Sequence, residues 1–151
     1  NIEVLTGQDK IEKYIYIESF PCDNADINTH LLTNRDILIN RKIKSFNENN
    51  WFEWGAPRNI KSIRKNIGKE CIYIYNLTRR ENVAFKSHVK YFGGNLIILI
   101  PKNETNKKIN IDPIISYLNS SDFKSNFIFS GRFKIGHRQI SNSYIPKEYL
   151  Q

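Results

Sequence analysis

The sequence predicts an α+β fold in which helices flank a central, mostly antiparallel sheet. In residues 71–75, isoleucine and tyrosine alternate as side chains on the two faces of a strand do. Two further apolar segments follow in the sequence, separated by a pair of glycines. On either side of this strand-rich middle, residues that cap helices precede apolar residues spaced three and four apart. We find no internal repeat, and 151 residues is the size of one domain.

The N-terminal part predicts two strands and then two helices. Residues 2–5 and 14–17 are short apolar segments, and the second alternates as a strand does. Asp26 is predicted to cap a first helix. Asn34 is predicted to cap a second helix, which carries Ile43 among its apolar residues.

The middle of the chain carries the clearest strands. In the alternating segment 71–75, the two isoleucines are expected on one face of the sheet and the two tyrosines on the other. Residues 85–92 and 95–100 read as two strands joined at Gly93-Gly94. A glycine pair suits a tight turn, so these two strands are predicted to form a hairpin.

Two more helices are expected near the C-terminus. Asp112 followed by Pro113 is a good pair for the cap and first position of a helix. Ser121 is predicted to cap a second helix that includes Phe127 and stops at Gly131.

Composition sets the broad class of the protein. The chain is 40% hydrophobic and 13% aromatic, which is typical of a folded domain. We find no apolar stretch of about 18 residues, so we expect no membrane span. Cys22 and Cys71 lie in no metal-binding motif and are expected to be buried thiols of a cytoplasmic protein. A chain without methionine is expected to be a piece of a longer protein, here a monomer.

The positive charge is unevenly distributed. The chain has 23 Lys and Arg against 15 Asp and Glu, a net charge of +8. Residues 1–50 sum to −2, residues 51–100 to +6 and residues 101–151 to +4. All of the excess positive charge therefore follows residue 50. This distribution predicts a positive surface for a polyanion.

The segment 126–146 has the composition of a nucleic-acid surface. It interleaves cations with aromatic residues, among them Phe127 and Phe129, and with the polar side chains of His137, Gln139 and Asn142. Cations suit phosphates, whereas guanidinium and amide groups match the edges of bases.

Catalysis within this chain is not expected. Gly131 to Gly136 has P-loop spacing, but His137-Arg138 stands where a lysine and a hydroxyl residue are required. The three histidines are far apart in the sequence, so no zinc motif is predicted. We find no serine-hydrolase motif, and the basic region has few carboxylates for a metal nuclease.

Structural explanations compete with the functional ones. The cations at 58–65 recur three to four apart and would also suit a solvated helix. Arg79-Arg80 would equally suit an exposed turn, and Tyr91-Phe92 a buried hairpin. Trp51 and Trp54 are expected in the core. Five long polar residues bunched within 132–139 exceed what a solvated helix start requires, so there we favour function.

Four segments resemble the C-terminal target-recognition region of bacterial type II restriction-modification DNA adenine-N6 methyltransferases. They are residues 51–59, 75–80, 91–94 and 130–142, and the likeness spans roughly residues 26–146. The resemblance implies that 26–151 is the DNA-reading domain and 1–25 a linker or edge segment from a missing catalytic domain. The family's signature contains adjacent prolines, and none of the five prolines here adjoins another.

The resemblance implies double-stranded DNA as the partner, together with a catalytic domain of the same polypeptide. S-adenosylmethionine would bind in the parent protein and not in this part of it. We assign phosphate contact to Arg58, Lys61, Arg64, Lys65, Arg79, Arg80, Lys90 and Lys134. We assign base reading to Arg132, His137, Arg138, Gln139 and Asn142. The alternatives are a small magnesium-dependent nuclease and an RNA-binding or protein-docking module.

Overall fold

The computed structural model describes residues 1–56, 59–102 and 109–150, and it confirms the α+β class. The strands are β1 (Ile2–Gly7), β2 (Lys10–Tyr14), β3 (Glu70–Tyr75), β4 (Leu77–Thr78), β5 (Ala84–His88), β6 (Tyr91–Phe92), β7 (Leu96–Leu99), β8 (Ile128–Phe129) and β9 (Arg132–Lys134). The helices are α1 (Ala25–Thr33), α2 (Arg35–Ile39), α3 (Ile60–Asn66), α4 (Asp112–Asn119), α5 (Ser121–Lys124) and α6 (His137–Ser141). Short 3-10 turns cover Ser125–Phe127 and Lys147–Tyr149.

The described strands form three sheets of three strands each, in the orders β2-β1-β6, β5-β3-β7 and β4-β9-β8. Strand β3 is the centre of the fold, because it pairs antiparallel with both β5 and β7 and is buried on both faces. Ile72 and Ile74 pack into one hydrophobic cluster, and Tyr73 and Tyr75 into another. The predicted alternation of this strand is confirmed.

The predicted hairpin at Gly93-Gly94 is wrong. Strand β7 pairs with β3, with Ile72 opposite Leu99, while β6 leaves that sheet and pairs in parallel with β1. The apolar run predicted as one strand is divided, because Tyr73 takes over the hydrogen bonds of the connecting backbone. Its hydroxyl accepts from the Lys90 N–H at 3.0 Å and donates to the Lys90 carbonyl at 3.2 Å. The glycine pair therefore forms a corner between two sheets.

Three predictions for the N-terminal part are corrected. The second strand is β2, which ends at Tyr14, so 14–17 is not a strand. Asn24 caps α1, since its side chain accepts from the Ile27 N–H at 2.9 Å, and Asp26 lies inside the helix. Helix α2 ends at Ile39, which leaves Ile43 outside it.

Residues 1–25 are joined to the rest of the fold by strand β1. Leu5 is 3% exposed and packs in the same cluster as Tyr73. The Leu5 carbonyl accepts from the Gly93 N–H at 2.9 Å, and the Asn95 amide donates to the Thr6 carbonyl at 2.7 Å. The corner that contains the glycine pair is therefore fixed against β1.

The two C-terminal helices begin one residue earlier than predicted. Asp112 is the first residue of α4, and the Ser120 hydroxyl, not that of Ser121, accepts from the Phe123 N–H at 3.3 Å. The helix predicted as far as Gly131 stops early, because Ser125–Phe127 forms a 3-10 turn that leads into β8.

Two further expectations concern burial. Trp51 is buried, as predicted, whereas Trp54 is only partly buried. Cys71 is a buried free thiol, whereas Cys22 is only partly buried, so the expectation of two buried thiols is half right. Within the described ranges, the helices fall short of the length and apolar character needed to cross a bilayer.

Candidate nucleic-acid interface

Strands β8 and β9 form a tight hairpin at the edge of the third sheet. Its two turn residues, Ser130 and Gly131, have φ angles of 51° and 70°. Two consecutive positive φ angles identify a two-residue turn of the I′ type, whose twist matches that of the flanking strands. The turn places Phe129 directly opposite Arg132. The positions of these two side chains are therefore set by backbone geometry.

Strand register sorts the side chains of this sheet between its two faces. Lys134 lies opposite Leu77, and Phe133 opposite Thr78. Paired residues share a face and neighbours in sequence alternate, so Leu77, Lys134, Arg132 and Phe129 lie on one face. Phe133, on the other face, is 2% exposed and packs in the core. We call the solvent-facing side of this sheet the cationic face.

The two arginines that follow β4 differ in position. Continuing the register by one residue brings Arg79 level with Arg132, on the cationic face. Arg80 stacks over the ring of Tyr75, with 5.2 Å between the guanidinium carbon and the ring centroid. Both arginines are exposed, but only Arg79 extends the row formed by Arg132 and Phe129.

An open groove of about 580 Å³ runs from this face to the start of α6. It is lined by Asn76, Leu77, Phe129, Lys134, Ile135, Gly136 and Gln139. The Asn76 carbonyl accepts from the Ile135 N–H at 2.9 Å, and the Asn76 amide donates to the Gly94 carbonyl at 2.7 Å. Asn76 therefore ties the floor of the groove to the glycine corner.

The start of α6 separates this groove from a second depression. The Gln139 side-chain oxygen Oε1 caps the helix by accepting from the Gly136 N–H at 2.8 Å, which leaves the side-chain NH₂ group as a donor. His137 lines the second depression together with Asn59 and Ile60 at the start of α3. Arg138 is exposed on the same short helix.

Asn142 lies at the opposite end of α6 from Gly136. Its backbone N–H donates to the carbonyls of Arg138 and Gln139 at 3.2 and 3.3 Å, which closes the helix. The side chain is exposed.

Helix α3 presents its cations to solvent and buries Ile63. Lys61 and Lys65 are exposed one turn apart. Arg64 is bound within the molecule, since its guanidinium donates to Tyr91 Oη at 3.1 Å and to Glu18 at 2.7 Å. These two hydrogen bonds, that to Tyr91 first, raise the pKa of Arg64 above its ordinary value.

Two of the predicted phosphate-contacting residues fall outside these groups. Arg58 lies outside the described residues. Lys90 lines a different depression, with Gln8, Asp9 and Lys86, between strands β1 and β5. The structure thus brings together Arg79, Arg132, Lys134 and Gln139, with His137 and Arg138 beside them.

Carboxylates are sparse around the cationic face. The segment between Asp122 and Glu148 holds five Lys and Arg and no acidic residue. Among the described residues, Arg64 is the one predicted contact residue whose side chain lies within 4.0 Å of a carboxylate. The cations of the face can therefore bind phosphates without first breaking an internal ion pair.

Two exposed apolar side chains on this face are not among the contact residues assigned from the sequence. Phe129 is 52% exposed and Leu77 is 47% exposed. The segment 126–146 suggested aromatic residues near cations, but the sequence does not show which of them lie in solvent.

In the part of the chain that the structure describes, no three His, Cys, Asp or Glu side chains are placed to hold a metal ion.

Comparison with known proteins adds one relative. The chain is 29% identical over 136 residues to the type II methyltransferase M.MjaIV of Methanocaldococcus jannaschii. The alignment covers 85% of this chain, which spans 44% of the length of that relative. This distant similarity indicates a methyltransferase-related domain. No protein-family model matches the chain. No solved structure matches it significantly.

Proposed function

We propose that this chain is the double-stranded DNA-binding specificity region of an S-adenosylmethionine-dependent adenine-N6 DNA methyltransferase of a restriction-modification system. The observation that carries the proposal is the cationic face, where Arg79, Arg132 and Lys134 share an exposed surface next to α6. Since duplex DNA carries closely spaced negative charges, such a surface attracts duplex DNA whatever its base sequence.

Methyl transfer is assigned to another part of the parent polypeptide. The similarity covers less than half of a type II methyltransferase, and the adjacent prolines of the family's signature are not in this sequence. We assign the S-adenosylmethionine site to that other part as well.

Within this proposal the residues divide by chemistry. Phosphates of the duplex are bound by Lys61, Lys65, Arg79 and Lys134. The free energy of these contacts helps to offset the few kcal/mol needed to turn a target base out of the stack. Arg132, Arg138, Gln139 and Asn142 read base edges, since guanidinium and amide groups match purine edges in pairs of hydrogen bonds. Arg64 contributes less, because Glu18 already binds it.

The salt dependence of DNA binding tests the phosphate contacts. Fluorescence anisotropy of a labelled mixed-sequence duplex gives the affinity of the 151-residue chain at several salt concentrations. Each phosphate contact contributes about −0.9 to the slope of log affinity against log salt. We expect Lys134→Ala to make that slope shallower by about 1.

Lys42→Ala is the matched control, because Lys42 is exposed in the acidic N-terminal part. We expect it to leave the slope unchanged. Wild-type affinity that does not respond to salt, or a preference for single strands in competition, would contradict the proposal.

Base reading needs a separate comparison. Arg138→Ala should weaken binding to a duplex selected from a random pool by about 1–3 kcal/mol more than binding to the unselected pool. Equal losses on both would make Arg138 a backbone contact.

A further inference from the structure

Phe129 is a large apolar side chain held in solvent among cations. It is 52% exposed at the tip of the β8–β9 hairpin, directly opposite Arg132. Ile128, its neighbour on the same strand, points to the opposite face, because it pairs with Phe133. Leaving an aromatic ring in water is unfavourable unless a partner covers it.

The partner of this face must be negatively charged and must also offer an apolar group. Arg79 and Arg132 stand in one row with Phe129, and no acidic residue occurs between Asp122 and Glu148. An apolar protein surface would suit a continuous apolar patch. Here cations separate Phe129 from Leu77, the other exposed apolar residue of the face.

The dimensions of the hairpin suit the major groove of duplex DNA. The backbones of β8 and β9 lie about 4.8 Å apart, and Arg132 and Phe129 stand opposite each other across that spacing. The major groove is about 12 Å wide and admits a two-stranded ribbon. The tight turn at Ser130 and Gly131 makes the tip narrow.

Within that groove, the apolar group on a base edge is the 5-methyl group of thymine, while the remaining edges present hydrogen-bond donors and acceptors. Resting on the proposed DNA-binding function, we propose that Phe129 enters the major groove and selects thymine through contact with its methyl group. Phe129 is then a specificity-determining residue beside Arg132.

Replacing thymine by uracil tests this contact, because the exchange removes the methyl group and leaves every hydrogen-bonding group in place. Duplexes that bind the wild-type chain are selected from a random pool, and each thymine of the consensus is then replaced singly by uracil. Burying one methyl group corresponds to about a fourfold change in affinity. We expect one thymine at which uracil lowers wild-type affinity by about fourfold.

The variants assign that effect to a residue. Phe129→Ala should bind the thymine and uracil duplexes equally. Ile128→Ala is the matched control, since Ile128 is 48% exposed on the other face of the same strand, and it should keep the fourfold difference.

A fourfold uracil effect that persists in Phe129→Ala would assign the methyl contact to another residue and overturn the inference. A consensus at which uracil has no effect would also overturn it, while leaving the proposed DNA binding intact. If the wild-type chain shows no salt-dependent binding to any duplex, the proposed function itself fails, and the inference fails with it.

Discussion

A substitution at Gly131, in the hairpin turn, should weaken DNA binding without removing any side chain that contacts DNA. Its φ angle is 70°, and within the described chain no atom outside its neighbours lies within 4 Å of where a Cβ would stand. Gly131→Ala therefore introduces backbone strain and no clash. Gly68 has a φ angle of 83° with similarly open surroundings, and it follows α3.

The size of the effect follows from the backbone alone. A side chain in the left-handed region costs roughly 1–2 kcal/mol. The alanine also restricts the unfolded chain, which offsets about 0.4–1 kcal/mol of that cost. We expect both Gly131→Ala and Gly68→Ala to lower the free energy of unfolding by about 1 kcal/mol. Urea denaturation followed by circular dichroism measures this loss.

DNA binding should separate the two variants. Relief of strain at Gly131 changes the turn and moves Phe129 and Arg132, so we expect Gly131→Ala to lower duplex affinity by roughly fivefold to tenfold, about 1–1.4 kcal/mol. Gly68→Ala should lower the affinity much less, because Gly68 lies beyond the end of α3 and outside the hairpin. Gly131→Asn should recover most of the affinity, since asparagine tolerates positive φ. Equal binding by all four proteins would refute the role of the hairpin geometry.

Two further predictions concern the ion pair and the buried ionisable groups. Glu18→Gln should free Arg64 for DNA and make the slope of log affinity against log salt steeper by up to about 0.9. Glu3→Gln, the control, should leave the slope unchanged. An unchanged slope for Glu18→Gln would show that Arg64 does not contact DNA. Burial raises the pKa of the Cys71 thiol to about 11 and that of the Tyr73 phenol to about 12. Because the unfolded chain loses these protons at lower pH than the folded chain, the free energy of unfolding should fall as pH rises from 9 to 12, and urea titrations with unchanged midpoints would contradict this.

The sequence predicted those features that depend on local pattern. The alternation of 71–75 placed Ile72 and Tyr73 on opposite faces of β3, because strand periodicity is a local property. The α+β class followed from the same kind of pattern. Helix α4 was found within one residue, since a proline at the start of a helix is a local signal.

Features that depend on pairing between distant segments were not predicted. The glycine pair at 93–94 has the composition of a hairpin turn. Because β6 pairs with β1, from the start of the chain, the glycine pair forms a corner between two sheets instead. The face on which Phe129 lies follows from the register of β9 against β4 and β8, which the sequence does not specify. The sequence identified the contact residues by the chemistry of their side chains. The strand register then places Arg79, Arg132 and Lys134 on one face of the sheet.

The most direct test of the central claim is to map which residues of the chain respond to duplex DNA. Backbone amide chemical shifts of the isotopically labelled chain can be followed during titration with a mixed-sequence duplex. We predict that the largest changes lie at 76–80 and 128–139, with smaller ones along α3. Changes centred on α1 and α2, or no changes near the β8–β9 hairpin, would contradict the account.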